Sequence, residues 1–169
     1  STVLHAGKFP CIIGGEHSIS LGAVLAIKQS FPSVTVIQFD AHADLRNSYQ
    51  SSPYNHACVA RRIFENAPLV QIGTRSLCTE EYEFIQSKHL ETHFYRDIMK
   101  SDAAWLETCL DHMSNDVYIT LDLDVLDPSI MPSVGTPEPG GMGWHETLSL
   151  LKAIAYRKHI VGFDVVELC

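Results

Sequence analysis

The chain has 169 residues, 46% of them hydrophobic and 19% charged, a globular composition with apolar mass for one core, so a single domain over residues 1–169 is expected. A net charge of −8 argues against nucleic acid or an anionic membrane surface as partner, since both demand a basic patch. No apolar run approaches the roughly 20 residues of a membrane helix, and the start shows no signal peptide, so a cytoplasmic location is expected.

The five cysteines are odd in number and form no C-x-x-C pair, which suits reduced thiols better than a disulfide framework. Residues 10–13, "PCII", read as a buried strand stopped by Gly14 and Gly15. Residues 18–30 make the first predicted helix, with Ser18 as its N-cap. "VTVIQF" (34–39) is β-branched and continuously apolar, as expected of a strand covered on both faces. A helix over 56–67 ends at Pro68, a strand runs over 69–73, and a helix over 79–89 carries acids in its first turn. A weakly marked strand over 92–95 precedes a helix over 102–113 that opens on Asp102. A strand over 116–124, a helix over 144–157 and a strand over 160–168 follow. No repeat, low-complexity segment or linker interrupts them.

Strands separated by helices imply crossover connections, a mostly parallel sheet and helices on both faces. Ligand sites in such folds lie beyond the carboxyl ends of the strands. The chemistry-bearing residues fall there. "GGEHS" offers His17; "FDAHAD" offers Asp40, His42 and Asp44; "LDLDVLDP" offers Asp122, Asp124 and Asp127; "DVVE" offers Asp164 and Glu167. On a strand, positions i, i+2 and i+4 share a face, so Asp40, His42 and Asp44 converge if the extended conformation persists, as do Asp122 and Asp124.

One D-x-D or D-x-H in a loop is ordinarily a solvated turn or a cap. Two such motifs at two strand ends are different. Four carboxylates at one sheet rim would sooner stay protonated than ionise together. Two divalent cations cancel the charge of Asp40, Asp44, Asp122 and Asp124, with His17 and His42 as neutral nitrogen ligands. A set dominated by carboxylate oxygen suits Mn²⁺ best, with Mg²⁺, Co²⁺ or Fe²⁺ as alternatives. A metal pair about 3.5–4 Å apart lowers the pKa of a water between them.

"GGEHS", "FDAHAD" and "LDLDVLDPSIMPSVGTPEPGG", in this order and spacing, resemble the ureohydrolase family: arginase, agmatinase, formimidoylglutamase and guanidino-acid hydrolases. The resemblance runs from Cys11 to Leu168 and implies a three-layer α/β/α sandwich of the arginase and deacetylase kind, incomplete at both ends. It also implies hydrolysis of a guanidino group by a hydroxide bridging two Mn²⁺ ions held by His17, Asp40, His42, Asp44, Asp122 and Asp124. His56, in "SPYNHACVARR", matches a mobile histidine that hands a proton to the leaving amine. Glu167 matches the carboxylate that pairs with the substrate guanidinium, and Thr136 a threonine lining the pocket. The implied catalytic groups are His56, Glu167 and Asp44, and the implied substrate contacts are Glu167, Thr136 and His56. Asp127, before Pro128, is expected to order its loop, and Asp164 to support the site from behind. The resemblance further implies a homo-oligomer, a trimer or hexamer.

The residues that recognise arginine's α-amino and α-carboxylate groups in arginase do not recur: Arg46 and Cys78 stand at the matching places. "DAHADLR", "NHACVARR" and "GTPEPGG" are most similar to prokaryotic agmatinases, so agmatine, cleaved to putrescine and urea, is the expected substrate. Its ammonium tail needs an acidic or polar site, for which Glu138 and Glu80 are candidates. Arg46 is expected to pair with a carboxylate of the protein; facing the pocket, it would instead suit an acidic tail. The alternatives are a guanidino-acid or formiminoglutamate hydrolase, and a non-catalytic or fragmentary family member with an uncovered sheet edge or apolar face.

Overall fold

The structure, a computed structural model, describes residues 2–101 and 104–169. Strands β1 (Cys11–Ile13), β2 (Thr35–Phe39), β3 (Leu69–Thr74), β4 (Glu91–Phe94), β5 (Asp116–Asp122) and β6 (His159–Val166) form one sheet. Its order is β1-β6-β5-β2-β3-β4, and every pairing is parallel. Parallel neighbours need crossovers. These are α2 (Ile19–Ser30), α3 (Val59–Phe64), α4 (Thr79–Lys88), the pair α5 (Tyr95–Ile98) and α6 (Ala104–His112), and α7 (Trp144–Arg157), with α1 (Thr2–His5) preceding β1.

Side-chain alternation along the central strands splits the core in two. Val36, Leu69 and Tyr118 pack with Val24, Ile27, Ile63 and Ile85 of α2, α3 and α4. Their neighbours Ile37, Phe39, Val70, Ile72, Val117 and Ile119 pack with Tyr95, Leu106, Leu110 and Ile154 of α5, α6 and α7. The molecule is therefore the expected three-layer sandwich. β1 is paired on one side only and leaves Ile13 exposed.

Several local expectations differ from what forms. Ser18 does not cap α2: its backbone is already helical, and its own N–H donates to Glu16 Oε2 at 2.8 Å. The helix expected over 56–67 opens as a 3₁₀ turn, His56–Cys58, whose Ala57 N–H is taken by Asn55 Oδ1, and α3 stops at Phe64. Asp102, expected to open a helix, lies outside the described residues. The strand expected over 116–124 ends at Asp122, because Leu123–Val125 turns into a 3₁₀ helix.

That last difference matters for the site, as does its counterpart after β2. The backbone leaves the sheet after Phe39, and Asp44 sits at φ 54°, in the left-handed region. The chain after β3 still meets this segment, with Ala43 N–H on Ser76 O and Arg75 and Ser76 N–H on Ala41 O, but the left-handed backbone at Asp44 ends the extended comb. The acids reach one place by turns instead.

Candidate metal centre and adjoining cavity

Four strand ends contribute. β1 leads into the Gly14–Gly15 turn, where Gly15 at φ +84° lets the chain reverse and drop His17 into the interior. His17 Nδ1 lies 3.1 Å from Asp40 Oδ2, 3.3 Å from Asp44 Oδ2 and 3.1 Å from Asp122 Oδ2. His42 Nδ1 lies 2.8 Å from Asp124 Oδ2 and 3.7 Å from Asp40 Oδ1. All six residues expected to bind metal are thus together: His17, Asp40 and Asp44 form one group, Asp40, His42 and Asp124 a second that shares Asp40, and Asp122 joins through His17.

Most members are fixed from behind. Asp40 Oδ1 accepts His42 N–H at 2.6 Å, Asp122 Oδ1 accepts Asp124 N–H at 2.9 Å, and Asp124 Oδ1 accepts Ala41 N–H at 3.0 Å. Asp40 Oδ2 takes a hydrogen bond from Gln38 Nε2 at 2.7 Å, and Gln38 Oε1 in turn accepts Gln71 Nε2 at 2.9 Å. The two imidazoles are oriented in the same manner. His17 Nε2 lies 2.9 Å from Thr120 Oγ1, which donates to Asp164 Oδ1 at 2.6 Å. His42 Nε2 lies 3.5 Å from Glu138 Oε1, which accepts Ser76 Oγ at 2.8 Å. Each ring thus has a hydroxyl–carboxylate pair behind it and turns Nδ1 to the acids.

This geometry tests whether a cation fits. Asp164 Oδ1 can only accept from Thr120, so the Thr120 hydroxyl proton is committed and its oxygen accepts His17 Nε2–H. His17 Nδ1 is then the nitrogen turned to the carboxylate oxygens; burial opposes charge on this imidazole, but hydrogen bonds to Asp122, Asp40 and Asp44 raise it well above its ordinary range, so a proton holds the place in the metal-free protein. Carboxylates gathered on one buried imidazole call for positive charge, which a divalent cation can supply when the proton leaves. Carboxylate oxygen and imidazole nitrogen are the donors that Mn²⁺ and similar divalent ions take.

The charges tell the same story. Burial and the charge of Asp40 push the Asp44 carboxyl up to about 8, and the same two causes raise Asp122 and Asp124. Burial opposes ionisation of Asp40 too, but hydrogen bonds from His17 and His42 hold it below the ordinary carboxylate range. Burial likewise opposes charge on His42, and Asp124 and Asp40 overcome it, raising the imidazole to about 11. Without a cation, the site keeps protons that it would have to surrender to metal.

A cavity of about 440 Å³ opens over the centre, and His42, Asp44, Asp122, Asp124, His56, Thr136 and Glu167 line it. Glu167 sits just past β6 at φ 65°; its N–H donates to Gly15 O at 3.0 Å, and its Oε1 accepts His17 N–H at 2.7 Å. Thr136 Oγ1 lies 3.4 Å from Asp124 Oδ2. Asp127 stays out of the cluster, binding Ser129 N–H and Gly141 N–H, as expected of a loop-ordering residue. Asp164 accepts from Tyr118 and Thr120, deep in the core.

Two substrate-site expectations need correction. Arg46 pairs with no carboxylate among the described residues; it lines the cavity with its guanidinium 5.1 Å from the centre of the Tyr49 ring. Neither Glu138 nor Glu80 lines the cavity: Glu138 is held beside His42, and Glu80 lies 3.7 Å from Arg61. The acids lining it, besides the candidate ligands and Glu167, are Glu16 and Glu81. Glu81 is buried with both oxygens engaged, by Leu45 N–H and Cys78 N–H.

Sequence reasoning missed Arg75. Its guanidinium donates to Asp124 O and Glu138 O at 2.8 Å and to Val125 O and Pro139 O at 3.2 Å, tying the two loops that frame the centre. Gly141 permits this closure, since a Cβ there would collide with the Leu126 backbone. A Gln at position 38 in an otherwise apolar strand was a legible signal; a lone Arg after β3 was not.

A parallel sandwich whose strand ends gather acids and imidazoles around two overlapping ligand groups defines an arginase-type architecture. The Arginase family model matches residues 1–169, and the chain belongs to that family. It is 39% identical over 165 residues to the N(1)-aminopropylagmatine ureohydrolase of Synechocystis sp., covering 96% of this chain and 54% of that protein. It is 40% identical over 159 residues to the agmatinase of Pyrococcus horikoshii, covering 94% and 54%. The crystal structure of the agmatine ureohydrolase of Thermoplasma volcanium superposes with a TM-score of 0.87 at 38% identity, covering 99% of this chain and 56% of that one. The chain spans about half the length of the curated relatives it matches. No helix among the described residues is long and apolar enough to cross a membrane.

Proposed function

We propose that this chain carries the catalytic centre of a dinuclear manganese amidinohydrolase that cleaves agmatine to putrescine and urea. The observation that carries the reading is the buried His17 Nδ1 facing the carboxylates of Asp40, Asp44 and Asp122 within 3.3 Å at the floor of the cavity. His17, Asp40, His42, Asp44, Asp122 and Asp124 would hold two Mn²⁺ ions. Bound there, the pair would lower the pKa of a water and make it a nucleophile at neutral pH.

The remaining steps belong to the side chains. Glu167, anchored through Oε1 by His17 N–H, presents Oε2 to the substrate, and a planar guanidinium is well matched to a carboxylate. Thr136 lines the same wall and limits where the guanidinium carbon can sit. Asp44 both reaches the cluster and lines the cavity, so it accepts the proton of the attacking water. His56, at the cavity edge, gives a proton to the departing amine.

The relatives' names support an agmatine-type substrate. A second reading, a guanidino-acid hydrolase, is favoured by Arg46, a cation lining the cavity without a carboxylate partner. Relative kcat/KM of the Mn²⁺-loaded protein for agmatine, N(1)-aminopropylagmatine, guanidinobutyrate, arginine and formiminoglutamate separates the two. Urea release from none of the guanidino compounds would reject both. We further infer one functional domain, a cytoplasmic location and a trimeric or hexameric homo-oligomer, the last checked by sedimentation.

A further inference from the structure

We propose that Glu16 is the positioning residue for His56, tethering the turn that bears this imidazole to the rigid corner that also fixes His17 and Glu167. The inference rests on the role proposed above for His56.

Glu16 uses both carboxylate oxygens. Oε2 accepts Ser18 N–H at 2.8 Å, which pins the group against the start of α2. Oε1 accepts His56 N–H at 2.9 Å and lies 3.4 Å from His56 Nδ1. An acceptor beside Nδ1 favours a proton on that nitrogen and leaves Nε2 to take up and then deliver the transferred proton. The edge of the Tyr49 ring flanks the imidazole from another side, with ring centroids 5.8 Å apart at 67°. His56 is only half-buried, so packing alone does little to hold it.

The residues on either side of Glu16 show why this position matters. Gly15 O accepts Glu167 N–H, and His17 N–H donates to Glu167 Oε1. Consecutive residues of one turn therefore fix the guanidinium-facing carboxylate, the proton donor and an imidazole of the metal centre. Misplacing a reacting group by about 1 Å can cost about a hundredfold in rate. A short turn that sets three groups at once limits such errors.

The test uses the intact metal-loaded protein and its variants Glu16→Ala, Glu16→Gln, His56→Ala and the double variant Glu16→Ala with His56→Ala. Steady-state kinetics on agmatine, metal content and backbone hydrogen exchange over residues 55–58 are measured. Glu16→Ala is expected to lower kcat about tenfold to a hundredfold with little change in KM. Glu16→Gln, which keeps an acceptor at Oε1, restores most of the rate, and Glu16→Ala adds no loss on top of His56→Ala. The His56 amide exchanges faster in Glu16→Ala and at the parental rate in Glu16→Gln. Additive losses, or metal loss in Glu16→Ala, would overturn the proposal; so would unchanged His56 exchange. An inactive parent protein would sink the amidinohydrolase reading instead, and the exchange data would still decide whether Glu16 holds His56.

Discussion

Thr120 Oγ1 stands 2.9 Å from His17 Nε2 and donates its own hydrogen bond to Asp164, so a hydroxyl in the middle of β5 sets which nitrogen of a distant imidazole faces the acids. Thr120→Val keeps the shape and removes the acceptor. His17 Nε2–H would then be buried without a partner, and Asp164 Oδ1 would lose its donor while Tyr118 still holds Oδ2. Loss of a group that orients a ligating histidine typically weakens metal binding about 10–100-fold. Calorimetric titration of the metal-free variant with Mn²⁺ checks this, and parental affinity would show that Thr120 only packs.

Asp124 both approaches His42 at 2.8 Å and caps Ala41 N–H. Asp124→Asn preserves the cap but removes the charge. Bound Mn²⁺ should drop from two ions per chain to one at moderate metal concentration, with urea release falling by orders of magnitude. Atomic absorption on dialysed protein reads the stoichiometry. Two ions and an unimpaired rate would remove Asp124 from the ligand set.

His56 meets Glu16 and Tyr49, and among the described residues it makes no hydrogen bond or ion pair with the acid cluster. His56→Ala should therefore spare metal content and substrate affinity while slowing turnover about 10²–10⁴-fold, the usual cost of losing general acid–base help. A parental kcat would exclude the proton-donor role.

The acid cluster also dictates a pH dependence. Asp44 is raised to about 8 and His42 to about 11, so both bind protons more tightly folded than unfolded. The stability they lend metal-free protein is complete below their unfolded values, near 4 and 6.5, and is lost as pH rises toward 8 and 11. Asp40 titrates below this window and stays ionised through it. Metal needs the same groups deprotonated. The Tm of EDTA-treated protein should thus fall between pH 6 and pH 9, and the increment gained on adding Mn²⁺ should grow. An increment that shrinks with pH would contradict the charge argument.

Much of this was legible in the chain. Alternating apolar runs gave the parallel sheet, and the acids and imidazoles after "VTVIQF" and "VYITL" marked the carboxyl-end rim. Residues acting through partners far along the chain were not legible. His17 and Thr120 are 103 positions apart, Glu16 and His56 40 apart, and Arg75 closes on carbonyls 49 to 64 positions away. A threonine inside a strand or an arginine after one looks the same whether or not it meets a partner.

The sequence by itself determined which side chains could bear the chemistry and that they would emerge at one edge of a sheet, because strand periodicity and charge are local properties. Only the tertiary structure decided how they meet. Past the strand ends the regular ladder gives way to isolated bridges, and turns at Asp44, Leu123–Val125 and Glu167 aim the groups. It also turned Arg46 toward the cavity and fixed the imidazoles from behind, since those contacts exist only where separate strands are packed side by side.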